Sequence, residues 1–114
     1  MTVRITAGSH RGIRLRSARD PDLRPTSARV REAIFSILGD VVEGARVLDL
    51  YAGTGVIGME ALSRGAVWVD FVETNAKRAQ RIRENLRELS LSEFGKVYRA
   101  KVERALDAVP GRYT

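Results

Sequence analysis

The feature that most constrains this chain is the run Val47-Leu48-Asp49-Leu50-Tyr51-Ala52-Gly53-Thr54-Gly55-Val56-Ile57-Gly58. An apolar segment ends in a carboxylate, passes through a glycine-rich turn and continues as a helix-like stretch. That succession predicts a strand feeding a tight turn into a helix, the repeating unit of an α/β fold. Glycines allow positive φ and close approach of a ligand to the backbone, and the free N–H groups opening a helix can bind polar ligand atoms. The run reads as a nucleotide-cofactor site, and the question becomes which cofactor.

The residues around it extend the same pattern. The segment from Val56 to Arg64 stops at Gly65, and Val67–Val72 is a second apolar strand closed by Glu73. Right-handed crossover makes the two strands parallel. Thr74 or Asn75 caps a helix running to Leu89, with Ala79, Ile82, Leu86 and Leu89 on one face and charged residues on the rest. Lys96–Arg99 is a short third strand, and Val102–Ala108 is a further helical turn or two. Upstream, Val3, Ile5, Ile13 and Leu15 flank Gly8-Ser9-His10-Arg11-Gly12 as a hairpin, placing Arg14 and Arg16 on a solvent side opposite Ile13 and Leu15. His10 at its tip reads as an exposed turn residue, with nothing nearby to orient it as a base. The Asp20–Pro25 stretch breaks regular structure, and a helix follows from Thr26 or Ser27 to Leu38, stopped by Gly39. Val30, Ala33, Ile34, Ile37 and Leu38 form one stripe on it, which predicts packing against the sheet, and Phe35 at the edge of the stripe reads as core.

Length and composition narrow the function. At 114 residues the chain is one domain, with residues 1–25 as a basic hairpin arm and 26–114 as the cofactor-binding part. It has no cysteine and one histidine, which argues against a disulfide framework and a metal site. No apolar stretch suits a signal peptide or a spanning helix, so a soluble, cytoplasmic protein without a membrane partner is expected. The net charge of +6 is wholly concentrated in residues 1–31, which hold eight arginines and two aspartates. That asymmetry points to a polyanionic partner, most simply nucleic acid, against the plainer reading of a solvated arm.

Two cofactors compete for the glycine loop. Gly53, Gly55 and Gly58 satisfy G-x-G-x-x-G, and Glu73 follows Gly53 at the separation seen in dinucleotide folds. Asp49 separates the readings, because a carboxylate ahead of the glycines repels a pyrophosphate. S-adenosylmethionine has no phosphate and carries a sulfonium and an ammonium, which a strand-end carboxylate suits. Glu73 at the end of the second strand can accept ribose hydroxyls. The plainer alternatives are that Asp49 caps its own turn and that Glu73 is an acid at a helix start.

Arg24-Pro25-Thr26-Ser27-Ala28-Arg29-Val30-Arg31-Glu32-Ala33-Ile34-Phe35, Asp49-Leu50-Tyr51-Ala52-Gly53-Thr54-Gly55 and Glu60-Ala61-Leu62-Ser63-Arg64-Gly65-Ala66 occur in that order after the Gly8–Gly12 hairpin. Over essentially its whole length the chain resembles the RsmD-like 16S ribosomal RNA (guanine-N2) methyltransferases. The resemblance implies a Rossmann-like class I methyltransferase fold, present here in part, with a parallel sheet behind a basic β-hairpin and helix. It implies S-adenosyl-L-methionine as cofactor, held by Asp49, Tyr51, Ala52, Gly53, Thr54, Gly55, Glu73, Thr74, Lys101 and Val102. Arg11, Arg14, Arg16, Arg24 and Arg29 would face ribosomal RNA or the small ribosomal subunit.

Two positions depart from the family pattern. Ala28 stands where an aspartate is common, and Lys101 where a small polar or acidic residue would accept from the adenine amino group, a bond lysine cannot make. The adenine contact would then rest on backbone near Lys101 and Val102. Relatives continue into a fourth strand ending in an Asp/Asn-Pro-Pro-Tyr/Phe motif that holds the target amine of an extruded base. Methyl transfer there is an in-line displacement governed by positioning. The chain is accordingly expected to be the amino-terminal part of such an enzyme, with no catalytic residue of its own, weak cofactor binding and no turnover. The full-length protein is expected to be a monomer, and the fragment to associate through its uncovered sheet edge. The alternatives are a non-catalytic RNA-binding module with a vestigial cofactor fold and an NAD-dependent oxidoreductase fragment.

Overall fold

A computed structural model describes residues 3–15, 26–109 and 113. Its centre is a three-stranded parallel sheet in the order β3 (Arg46–Asp49), β4 (Trp68–Glu73) and β5 (Gly95–Arg99). β3 and β4 pair from Arg46 opposite Trp68 to Asp49 opposite Phe71, and β4 and β5 from Val69 opposite Gly95 to Glu73 opposite Arg99. Each strand leads into a helix, namely α2 (Val56–Ser63), α3 (Ala76–Glu88) and α4 (Val102–Ala108). The strand order advances in one direction, so right-handed crossovers put α2 and α3 on one face.

The core forms where those helices meet β4. Val69, Phe71, Met59, Ala79 and Ile82 have no exposed surface. Gly58 makes the approach possible, since a Cβ there would run into the Phe71 ring. The apolar face of α3 is buried as its spacing predicts, and Asn75 caps the helix by accepting from Arg78 N at 3.0 Å. On the other side of β4, the buried Asp70 accepts from Trp68 Nε1 at 2.9 Å and from the Tyr113 hydroxyl at 2.6 Å.

The amino-terminal hairpin is β1 (Val3–Arg4) paired antiparallel with β2 (Arg14–Leu15). Val3, Ile5 and Leu15 join the same apolar cluster as Phe71. Ile13 does not follow Leu15 inward. It is 44% exposed and shares the solvent with Arg14. The strict alternation expected of this strand fails because the regular pairing covers two residues per strand, and Ile13 lies in the turn beyond it.

Helix α1 (Ala28–Leu38) begins and ends as the sequence predicts, capped by Ser27, which accepts from Val30 N, and terminated by Gly39 at φ 55°. Its orientation is the opposite of the expectation. Val30, Ala33, Ile34, Ile37 and Leu38 all face solvent, Ile37 at 85% exposure, while Arg31 and Phe35 are buried. Phe35 is core, as its place at the edge of the stripe suggested. The physical reason for the reversal is a carboxylate on α2. Glu60, fully buried, accepts from Arg31 Nε at 3.4 Å and from Arg64 Nε at 3.1 Å. A buried charge must be paired, and Arg31 can reach it only by turning its face of α1 inward. The Arg64 guanidinium then lies 4.6 Å from the Phe35 ring centroid.

Candidate functional site

The three parallel strands end together at one edge of the sheet, the place where open α/β sheets bind ligands. Asp49 ends β3, Glu73 ends β4 and Arg99 ends β5. Between β3 and α2 the loop turns sharply, with Tyr51, Gly53 and Gly55 at φ 55°, 58° and 78°. For the glycines this geometry is nearly free, whereas for Tyr51 it costs about 1 kcal/mol or more. The Tyr51 side chain points outward, 76% exposed. Neighbouring β4 holds the loop in place, since Ala52 N donates to Val72 O at 2.9 Å and Gly53 N to Glu73 Oε1 at 3.0 Å. Thr54 is buried, and its hydroxyl accepts from Val56 N at 3.3 Å.

Glu73 is buried and fixed from two sides, by Gly53 N and by Asn75 N, which reaches Oε2 at 2.7 Å. A carboxylate offers about four lone-pair positions, so capacity remains for ligand hydroxyls. The bond from Asn75 also gives Glu73 the helix-start role weighed against ribose binding.

Asp49 is half-buried, and its Oδ2 accepts from Gly58 N at 3.3 Å. It therefore does reach the first turn of α2, as the capping alternative requires. One weak bond does not offset its surroundings. Desolvation, reinforced by the negative charge of Glu73, pushes the carboxyl up from 3.8 to about 6, against the opposing pull of the Gly58 N–H. Asp49 is held in a place where it lacks positive charge.

Thr74, Lys101 and Val102 lie at the far side of this edge. Thr74 and Lys101 line a cavity of about 350 Å³ together with Arg99, Ala100 and Arg104. The structure thus brings the glycine loop, Asp49, Glu73, Thr74, Lys101 and Val102 to one end of the sheet.

The arginines of the hairpin are elsewhere. Arg11, Arg14 and Arg29 are exposed, while Arg16 and Arg24 lie outside the described residues. Arg4 and Arg14 stand directly opposite each other, an unfavourable like-charge pair that an anion would relieve. The hairpin tip docks on the carboxyl ends of α2 and α3. Ser9 N donates to Ser63 O at 2.8 Å, His10 N to Ser63 Oγ at 2.9 Å, and His10 Nε2 lies 3.0 Å from Leu89 O. A carbonyl only accepts, so Nε2 carries a proton, while Nδ1 lies 2.8 Å from Ser9 Oγ, which also donates to Ser63 O at 3.4 Å. His10 is thus half-buried and oriented, contrary to the reading of a loose turn residue. It sits roughly 12 Å, the length of α2, from the glycine loop, and is an anchor.

Glu60 is the residue that pattern reading missed. Besides the two arginines it accepts from Thr6 N at 2.9 Å and Ala7 N at 3.1 Å, and Arg31 also donates to Thr26 O and Arg4 O. One carboxylate thereby joins the hairpin, α1 and the helix that opens at the glycine loop. The Glu60–Arg64 spacing was a visible signal of an i, i+4 pair. Nothing in the sequence marked Arg31 as its third member.

Comparison with known proteins places these features. The family model described as Conserved hypothetical protein 95 matches residues 3–113. YlbH of Bacillus subtilis (strain 168), a candidate rRNA methyltransferase by its name, is 41% identical over 112 residues, covering 98% of this chain and 61% of that protein. Ribosomal RNA small subunit methyltransferase D of Escherichia coli (strain K12) is 42% identical over 84 residues, covering 74% of this chain and 42% of its own length. Among solved structures, a candidate methyltransferase, yhhF, from Escherichia coli superposes with a TM-score of 0.83 at 34% identity, over 93% of this chain and 56% of that one. The chain spans about three fifths or less of the length of these curated relatives.

Proposed function

Because the chain belongs to the Conserved hypothetical protein 95 family, that of the small-subunit rRNA methyltransferase D proteins, we propose that it forms the cofactor-binding part of an rRNA methyltransferase that uses S-adenosyl-L-methionine. The observation that carries this reading is the pair of carboxylates at the ends of β3 and β4. Asp49, pushed up to about 6 by desolvation and by Glu73, is a site that a cationic ligand stabilises and a pyrophosphate does not. The residues present therefore fit the cofactor. Glu73 would take the ribose hydroxyls and Asp49 the ammonium end, with the 51–55 loop lying against the ligand while the amides of Ala52, Gly53 and Gly55 stay bonded within the fold. Thr74 and the backbone at Lys101 and Val102 would border the adenine. When bound, S-adenosylmethionine supplies an electrophilic methyl group, and what the chain contributes is the orientation of that group at the open edge of the sheet.

The proposed substrate is small-subunit ribosomal RNA, and the proposed acceptor a guanine N2. The 114 residues supply the donor side of that reaction. The exposed Arg4, Arg11, Arg14 and Arg29 would hold RNA phosphates at a distance from the cofactor, and the Glu60 cluster would fix that basic surface relative to the loop. Titration calorimetry with S-adenosylhomocysteine and with NAD tests the cofactor assignment. S-adenosylhomocysteine is expected to bind and NAD not to. A preference for NAD overturns the reading in favour of an oxidoreductase fragment.

A further inference from the structure

The cavity at the end of β5 has a composition that the cofactor does not explain. Of its five lining residues, Thr74, Arg99, Ala100, Lys101 and Arg104, three are cationic and none is acidic. All three basic side chains are exposed, and among the described residues none has an ion-pair partner. Glu73 stands opposite Arg99 in the strand register, but its carboxylate, held by the amides of Gly53 and Asn75, makes no ion pair with it. Gathering three like charges around one concavity is unfavourable without a counter-anion, and such a pocket concentrates anions. S-adenosylmethionine carries no phosphate, and its own cationic groups would sit at Asp49.

Position then selects the anion. The arginines of the hairpin lie by the amino ends of the strands, whereas Arg99, Lys101 and Arg104 share the carboxyl edge with the glycine loop. A nucleotide brought to that edge for methylation carries its flanking phosphates with it, and they need cations there. From this geometry we infer that Arg99, Lys101 and Arg104 form a phosphate-binding patch that seats the RNA backbone next to the cofactor. The backbone at Lys101 and Val102 faces the cofactor while the side chains face the substrate. A lysine at position 101, which cannot accept from adenine, is thereby accounted for. The inference rests on RNA being the substrate.

The test is the double variant Arg99→Gln/Arg104→Gln in the 114-residue chain, with a short small-subunit rRNA fragment as probe. RNA affinity is measured by fluorescence anisotropy over a series of salt concentrations, and S-adenosylhomocysteine affinity by calorimetry. Losing two phosphate contacts should lower the slope of log K against log salt by about 1.5 to 2 and weaken binding several-fold at moderate salt. Cofactor affinity should change less than RNA affinity, because Arg99 and Arg104 share the cavity with Thr74 and Lys101 but are not the groups that border the adenine. A control variant, Lys77→Gln/Arg81→Gln, removes two cations that share their surface with Glu84 and should leave the slope unaltered. Unchanged RNA binding in the double variant overturns the patch, as does an equal loss in the control. Binding of NADPH by the unaltered chain, lost in the double variant, overturns it in favour of a nucleotide 2′-phosphate. Should the unaltered chain ignore RNA altogether, the RNA reading itself falls, an outcome distinct from failure of the patch alone.

Discussion

At the scale of single residues, Asp49 links stability to function. The unfolded carboxyl titrates near 3.8 and the folded one near 6. Between those values the folded chain binds more protons than the unfolded chain, so the contribution of this group to stability falls as pH rises through the window. Above about pH 6 the residue is charged, destabilising and ready for a cation. S-adenosylmethionine affinity is therefore expected to weaken as pH is lowered through about 6. Asp49→Asn should abolish that dependence and cost about tenfold or more in affinity, given the usual strength of a hydrogen bond to a charged group. Calorimetry between roughly pH 5 and 8 measures both, and a flat profile for the unaltered chain would exclude Asp49 from the site. The residue was visible in the sequence because its chemistry depends on strand-end position. Its altered acidity was not, since desolvation comes from α2 and the neighbouring strand.

At the scale of elements, α3 and α1 behaved differently. The apolar face of α3 had no competitor and is buried as spaced. On α1 the apolar stripe lost to the pairing of one charge. The Glu60 cluster is accordingly expected to hold hairpin and helix to the core, and Glu60→Ala, which strands two arginines, should cost about 3–5 kcal/mol. Urea denaturation measures the loss, and trypsin should cut sooner after Arg11 or Arg14 in the variant. A cost below about 1 kcal/mol would show that the cluster is not what orients α1.

At the scale of the molecule, the consequence is an uncovered apolar surface. Ile37, Val41, Val30, Leu38 and Ile34 are exposed to between 36 and 85%, and β3 and β5 are the edge strands of the sheet among the described residues. Contiguous apolar surface and open edges favour association. Sedimentation velocity is expected to show concentration-dependent self-association of the 114-residue chain. Ile34→Lys/Ile37→Lys should suppress it while changing stability by no more than about 0.5 kcal/mol, as exposed substitutions do. Should both variants stay monomeric at the highest soluble concentration, this surface does not drive association.

By itself the sequence determined the strand, glycine loop and helix, the parallel α/β order, the helix boundaries and the two carboxylates at strand ends. These are local matters of period, backbone conformation and capping, each readable within a dozen residues. Tertiary structure alone decided which face of α1 turned inward, where the hairpin docked and that three cations share one cavity. The first two depend on a charge meeting its partner across distant parts of the chain, and the third on Thr74, just after β4, closing a cavity beside residues 99–104. Arg31 and Glu60 are 29 residues apart, and no periodicity records that one must neutralise the other.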